Sequence, residues 1–315
     1  MKPHYEMLVL GGGPAGLTAA LYAARAKLST AVIEERLPGG QVRSTHRVDN
    51  WPGFPEGIAG RELAARFEQH AERMGAEIAR SVEVTKIHLR PGDLWVELDE
   101  ETRVSADAVI LAVGCTPRKL GVPGEDELSG HGISYCATCD GAFFEGKRLV
   151  VVGGGNSAVE ESIFLTRYAR EVAIVHQFAE LQAEKSSQEA ARANPRIRFV
   201  LQTEPRGFVE RDGAIHVEVE HLDTKRRETL ETDGVFVFVG QAPRTDRLAE
   251  WLELDRGGYV PTDEMMRTKV PGVFAAGDIR PKPYRQITTA VGDGTIAALS
   301  AERYLIHKQP WPAAT

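Results

Sequence analysis

Two glycine-rich turns, each fed by an apolar strand and opening into a helix, predict an α/β fold for this 315-residue chain. The expected architecture is two Rossmann-like dinucleotide-binding domains, the second inserted in the first. The turns are MLVLGGGPAG (7–16) and LVVVGGGNSA (149–158), and their separation is that of domains rather than of a short repeat. A third observation sets the connectivity. ILAVGCTPRKLGVPGE passes from an apolar run into a Pro/Gly-rich stretch, and GVFVFVGQAPRT repeats that pattern later, so the chain leaves its first domain and returns to it. Residues 1–116 plus 245–315 are expected to form one discontinuous domain and 117–244 the inserted one.

Composition narrows the function classes. With 42% hydrophobic and 26% charged residues the chain reads as an ordinary globular protein. A net charge of −7 argues against nucleic acid or an anionic membrane as partner. No stretch approaches the run of about 18 apolar residues that spans a bilayer. The start, MKPHYEMLVLGGG, runs directly into a strand without a secretory signal pattern, and a cytoplasmic enzyme is expected.

In the first turn Gly11, Gly13 and Gly16 fill the GxGxxG positions around Pro14 and Ala15. Such glycines allow a tight turn and a close approach to a pyrophosphate, which the following helix N-terminus also favours. The next strand, TAVIEE, ends at Glu34 and Glu35, where an acid takes the ribose hydroxyls of an adenosine. The second turn places Gly153, Gly155 and Ala158 in the same pattern, with Asn156 and Ser157 opening its helix. Near the C-terminus VFAAGDI combines an apolar approach, small residues and an acid.

Three cysteines are present. Cys115, after an apolar strand, reads as a small core residue. Cys136 and Cys139 form a CxxC pair in YCATCDG, just before the second turn. A zinc site would need two further ligands, and the nine histidines show no paired spacing near the motif. A redox dithiol fits better, since two intervening residues let the sulfurs bond. Asp140 follows at once and could move the proton that exchange requires, or simply cap a helix. A dithiol beside a dinucleotide fold suggests electrons reaching it through a flavin.

The succession GGGPAGLTAALYAARA, PGGQ, DNWPGFPEGIAG, ISYCATCDGAFF, GVFVFVG, VFAAGDI, YRQITTAVGDGT and AERYL resembles the low-molecular-weight, bacterial-type thioredoxin reductases over essentially the whole chain. The resemblance implies an FAD domain made of both chain ends, an inserted pyridine-nucleotide-type domain that swings on its two linkers, and a homodimer. It places FAD among Gly11, Gly13, Pro14, Ala15, Gly16, Glu34, Glu35, Gly40, Gln41, Asn50, Val84, Ala112 and Gly114. Asp278, with Gly277, would hold the ribitol, and Arg285, Gln286 and Ile287 would lie along the isoalloxazine. Cys139 corresponds to the sulfur nearest the flavin, Cys136 to its partner and Asp140 to the acid–base residue.

One stretch departs from the family. NADPH-using members follow the second turn with a strand ending in HRRxxxRA, whose arginines grip the 2′-phosphate bidentately. Here HQFAELQA keeps His176 and Ala183 but has Gln177, Phe178 and Gln182 where arginines belong. Glu180 lies too far along to serve NADH, and Lys185 offers one contact without a fork. The pocket of Gly153, Gly155, Asn156, Ser157, His176, Gln177 and Phe178 is therefore expected to have lost NADPH selectivity. The chain resembles the branch of the family in which reduced ferredoxin supplies the electrons to FAD. A docking patch for an acidic ferredoxin would draw on Arg25, Lys27, Arg43 and Arg47. Trp311, between two prolines in the tail, is a candidate to stack on the flavin. The reading is an FAD-dependent dithiol–disulfide oxidoreductase acting on a thioredoxin-like protein. Its rivals are a conventional NADPH-dependent thioredoxin reductase, a diflavin disulfide oxidoreductase and a non-catalytic FAD sensor.

Overall fold

The computed structural model describes residues 1–45, 47–99, 102–306 and 311. The chain divides into two compact units, Met1–Thr116 with Ala242–Thr315, and Pro117–Gln241.

The first unit is built on a sheet in the order Glu77–Arg80, Thr30–Glu34 (β2), His4–Leu10 (β1), Thr102–Leu111, Asp93–Leu98, Val84–Arg90, with Val273–Ala275 also paired to Thr102–Leu111. The strands around β1 are parallel, while the hairpin arm is antiparallel. Met7, Leu8, Val9 and Leu10 are all buried, as a strand covered on both faces requires. One face packs on α1 (Pro14–Arg25) and the helix Ile287–Ile306 through Ala19, Ala20, Ala23, Ala297, Ala298 and Ala301, small side chains that let the helices close tightly on each other. The other face is filled by Leu89, Leu94, Val96, Leu248 and Leu252.

The second unit holds a parallel sheet in the order Ile133–Ser134, Gly234–Val237, Arg148–Val152, Glu171–Val175, Ile197–Val200. A three-stranded antiparallel sheet, Thr203–Arg211, Ala214–His221 and Arg227–Thr232, lies beside it. In AIHVEVEH the alternation buries Ile215, Val217 and Val219 in one cluster with Val150, Val152 and Val235. The segments joining the units pair as short strands, Cys115–Pro117 with Gln241–Pro243. The return crossing falls between Gln241 and Ala242, ahead of the position expected from the Pro/Gly pattern. The Arg244 N–H already bonds back to the Gly114 carbonyl at 3.1 Å. Among the described residues no helix is long and apolar enough to cross a membrane.

Candidate active site

β1 and β2 run parallel and deliver the first glycine turn and its acid to the same end of the sheet. Gly11 has φ +102°, and a Cβ there would lie 2.4 Å from the Ala112 carbonyl oxygen, so only glycine allows the turn. Gly13 is open by contrast: a Cβ there would meet only the Gly40 Cα, at 3.9 Å. It opens α1 with no side-chain cap, and Pro14 follows, which leaves the first helical amides facing outward for an anion. Glu34 is fixed at the turn, accepting the Gly12 N–H at 2.6 Å and the Arg36 N–H at 2.8 Å. Glu35 is turned to Arg244 and Arg247, at 2.5 and 3.6 Å. Val84 and Ala112 are buried in the sheet, and Gln41 donates to the Cys115 carbonyl at 3.1 Å. Asn50 donates to Gln286 at 3.1 Å, joining two stretches far apart in sequence.

Asp278 sits on the single turn Gly277–Ile279. Its Oδ1 is buried without a hydrogen-bond partner, with the Lys282 ammonium 4.0 Å away. Burial pushes its carboxyl upward from the usual carboxylate range, opposed by Lys282 and Arg285. Arg285 Nε is also buried without a hydrogen bond, and its guanidinium lies over the Tyr259 ring at 4.6 Å. Each such orphan costs about 1–3 kcal/mol unless a ligand satisfies it. Asp293 organises the surroundings, accepting from the Gly277 N–H (3.0 Å), Arg280 (3.0 Å) and Lys282 (2.7 Å). Lys282 and Asp293 escape the sequence reading; the available signal is one acid in the otherwise small and apolar run TTAVGDGTIAAL. Ile287 starts the last helix, where a Cβ on Gly294 would meet the Ala15 carbonyl at 2.2 Å, so that helix seals against the first turn. An open glycine turn, a pinned ribose acid, an orphaned buried carboxylate oxygen and an orphaned guanidinium N–H together fit FAD. The pyrophosphate would lie at Gly13 and the α1 N-terminus, the ribose at Glu34, and a ribitol hydroxyl at Asp278.

In the second unit Cys136 and Cys139 form a disulfide, with Cα atoms 5.3 Å apart. Cys136 caps the short helix Ala137–Asp140, and the Cys139 N–H donates to its sulfur at 3.2 Å. That amide stabilises negative charge on Cys136 when the bond opens. Asp140 accepts from the Ser134 hydroxyl at 2.6 Å. Tyr135, next to Cys136, donates to buried Glu125 at 2.8 Å, and Glu125 also takes the N–H groups of Leu120 and Gly121 at 3.0 and 2.7 Å. Ser134 lies within ISYCATCDGAFF and Glu125 ends ILAVGCTPRKLGVPGE, but neither sequence stretch shows which groups these side chains bind. Cys115 is a buried thiol bonded to the Asp278 carbonyl at 3.0 Å, and burial pushes it up to about 11.

The second glycine turn repeats the first in register. The Gly153 N–H bonds the Val175 carbonyl at 3.0 Å as the Gly11 N–H bonds that of Ile33 at 2.8 Å, which makes His176 the counterpart of Glu34. Its ring lies on Gly154, where a Cβ would come within 2.5 Å of it. His176 is 5% exposed, Nε2 has no hydrogen-bond partner, and burial moves the imidazole downward, keeping it neutral. Phe178 meets it edge-on at 5.3 Å, and the Gln182 N–H bonds the Gly154 carbonyl at 2.7 Å. Gly155 remains open, Asn156 holds the Glu184 N–H at 2.7 Å, and Ser157 and Gln177 face solvent. No guanidinium stands at positions 177, 178 or 182 of this rim.

Trp311 is anchored in the first unit, donating to the Thr268 carbonyl at 3.2 Å and packing edge-on against Phe274 and Tyr304 at 5.1 and 5.3 Å. Stacking on a flavin would require it to leave these partners. Of the four basic candidates, Arg25 and Lys27 are exposed, Arg43 bonds the Pro38 carbonyl and Arg47 pairs with Asp49.

The family model described as pyridine nucleotide-disulphide oxidoreductase matches residues 5–294. The chain is 46% identical to a 34.2 kDa protein in the rubredoxin operon of Clostridium pasteurianum, over 95% of this chain and 97% of that one. It is 44% identical to the thioredoxin reductase of Bacillus subtilis, over 97% and 96%. The solved thioredoxin reductase of Lactococcus lactis, in its FR conformation, matches with a TM-score of 0.93 and 38% identity, over 96% of this chain and 99% of that one.

Proposed function

The chain belongs to the pyridine nucleotide-disulphide oxidoreductase family and is a flavin-dependent oxidoreductase of the thioredoxin reductase type; we propose that, within it, the electrons come from a carrier other than NADPH. The donor is a reduced ferredoxin-like iron–sulfur protein, and the acceptor is a thioredoxin-like protein reached through Cys136 and Cys139. One observation carries the choice of donor: the rim that should grip a 2′-phosphate presents Gln177, Phe178 and Gln182 around a buried neutral His176. A 2′-phosphate bears close to two charges and needs charged, forked donors. The Clostridium pasteurianum relative carries a name that places it in a rubredoxin operon, which is consistent with a protein electron carrier as donor.

FAD, when bound, supplies the chemistry that joins a one-electron donor to a two-electron disulfide. The chain's own residues do the rest. Asp278 and Glu34 orient the cofactor, and the α1 N-terminus takes its phosphates. In the reduced dithiol one sulfur attacks the partner's disulfide, and the other displaces it to restore the Cys136–Cys139 bond. Two electrons and two protons pass to the partner, and Asp140 carries proton traffic beside the sulfurs.

The test is an anaerobic titration of the yellow protein with NADPH, then NADH, then reduced ferredoxin, following the flavin absorbance. No bleaching with either nucleotide and bleaching with ferredoxin is the expected result. Rapid bleaching by NADPH would overturn the donor assignment and leave a conventional NADPH-dependent thioredoxin reductase.

A further inference from the structure

Asp140 ends a helix of only four residues, too short to hold its own geometry, so something else must hold its carboxylate. Three hydrogen bonds close a ring around the dithiol. The Ser134 hydroxyl donates to Asp140 Oδ2 at 2.6 Å, the Asp140 N–H donates to the Cys136 carbonyl at 3.2 Å, and the Cys136 N–H donates to Ser134 Oγ at 3.0 Å. Ser134 is 5% exposed and belongs to the strand Ile133–Ser134, paired with Gly234–Val237 at Phe236. The ring is thereby rooted in the central sheet. A serine hydroxyl has one proton to give. Among the described residues the other acceptor within its reach is the Cys136 carbonyl, at 3.3 Å.

We propose that Ser134 is a positioning residue for the exchange chemistry of Cys136 and Cys139, holding Asp140 Oδ2 so that Oδ1 stays available for the proton. The proposal rests on the dithiol function stated above. While Asp140 is ionised, the hydroxyl stays on the carboxylate at the shorter distance. When Asp140 gains a proton its pull on the hydroxyl weakens, and the Cys136 carbonyl is the alternative acceptor within reach. During exchange the Cys136–Cys139 bond forms as the partner's disulfide breaks. Two electrons and two protons leave the dithiol for the partner, one proton passing by way of Asp140.

The test compares Ser134→Ala and Ser134→Thr in the FAD-loaded full chain. Dithionite-reduced protein is mixed with oxidised thioredoxin or with the small disulfide DTNB, and single-turnover exchange is timed. Threonine keeps the hydroxyl; alanine removes it. A hydrogen bond to a charged group corresponds to a loss of about ten- to a hundredfold in rate. The alanine variant should show that loss with an unchanged KM for thioredoxin and an unchanged flavin spectrum, and threonine should restore most of the rate. Wild-type exchange in the alanine variant, or equal impairment of both variants, would overturn the proposal. Failure of the wild-type protein to reduce any thioredoxin would sink the acceptor assignment instead, and the DTNB comparison would still decide the role of Ser134.

Discussion

Restoring arginines at the second glycine turn should create affinity for a 2′-phosphate. The triple variant Gln177→Arg, Phe178→Arg, Gln182→Arg changes only exposed positions, so it replaces no buried side chain. What it gives up is the edge contact of Phe178 with His176 at 5.3 Å, worth about 0.5–1.5 kcal/mol to folding and nothing to the ligand. A charge-assisted bond from one guanidinium to a phosphate contributes about 1.5–3 kcal/mol, and solvent screening on an exposed rim removes more than half of that. Three arginines then add about 3 kcal/mol, which is roughly a hundredfold in Kd. Calorimetric titration with 2′,5′-ADP reads this directly and does not depend on the flavin. The reasoning is refuted if the variant binds 2′,5′-ADP no more tightly than the parent, or if the parent already binds it in the micromolar range.

Three further outcomes are expected. Cys115, buried and pushed up to about 11, should resist iodoacetamide at pH 7.5 in the folded protein, while reduction exposes two reactive thiols at Cys136 and Cys139; labelling of Cys115 at a comparable rate would contradict its burial. Burial, with a smaller push from Glu160, raises Glu161 from 4.5 to about 7, and its Oε2 has no hydrogen bond. An acid raised on folding costs nothing below its unfolded value and costs progressively more as pH climbs from 4.5 to 7, reaching about 3 kcal/mol above that. Glu161→Gln should therefore raise the urea midpoint at pH 8 and leave it nearly unchanged near pH 4.5; an equal shift at both values would exclude the linkage. Asp293→Asn removes the charge facing both Arg280 and Lys282, leaving Arg280 without its carboxylate and Lys282 with only the longer contact to Asp278. It should release FAD into the filtrate on dilution where the parent retains it, and unchanged retention would show that Asp293 does not shape the cradle.

The glycine turns, the strands that feed them and the CxxC pair were legible in the sequence because each rests on local rules. Period, turn chemistry and spacing are all written within a few residues. The substitution at 177, 178 and 182 was legible too, since a missing guanidinium can be read off letter by letter. Asp293 and Ser134 were not. Asp293 acts on a turn that precedes it in the chain, and tertiary packing, with Gly294 against Ala15 at its tightest, brings that helix to the first glycine turn. Ser134 was visible only as a letter of ISYCATCDGAFF until the strand pairing at Phe236 and its bonds to Cys136 and Asp140 gave it a place. Trp311 is a conspicuous aromatic whose partners in the fold, Phe274, Tyr304 and the Thr268 carbonyl, could not be read from the tail alone.

A structural reason stands behind the pairing of an intact second glycine turn with a rim that carries no arginine at 177, 178 or 182. The helix Asn156–Leu165, which that turn launches, is also the floor of the redox loop. A Cβ on Gly141, the residue after Asp140, would lie 3.1 Å from Leu165, 3.4 Å from Tyr168 and 3.5 Å from Phe164. Gly153, at φ +135° and with its would-be Cβ 2.2 Å from the Phe238 carbonyl, sets where that helix begins. A side chain at Gly153 would shift the helix start and move the platform under Cys136, Cys139 and Asp140, whether or not any nucleotide binds. The rim residues 177, 178 and 182 are exposed and carry no such load. The glycine turn and its exposed rim are thus under different physical constraints: a substitution at Gly153 disturbs the redox platform, whereas side chains at 177, 178 and 182 vary without moving it.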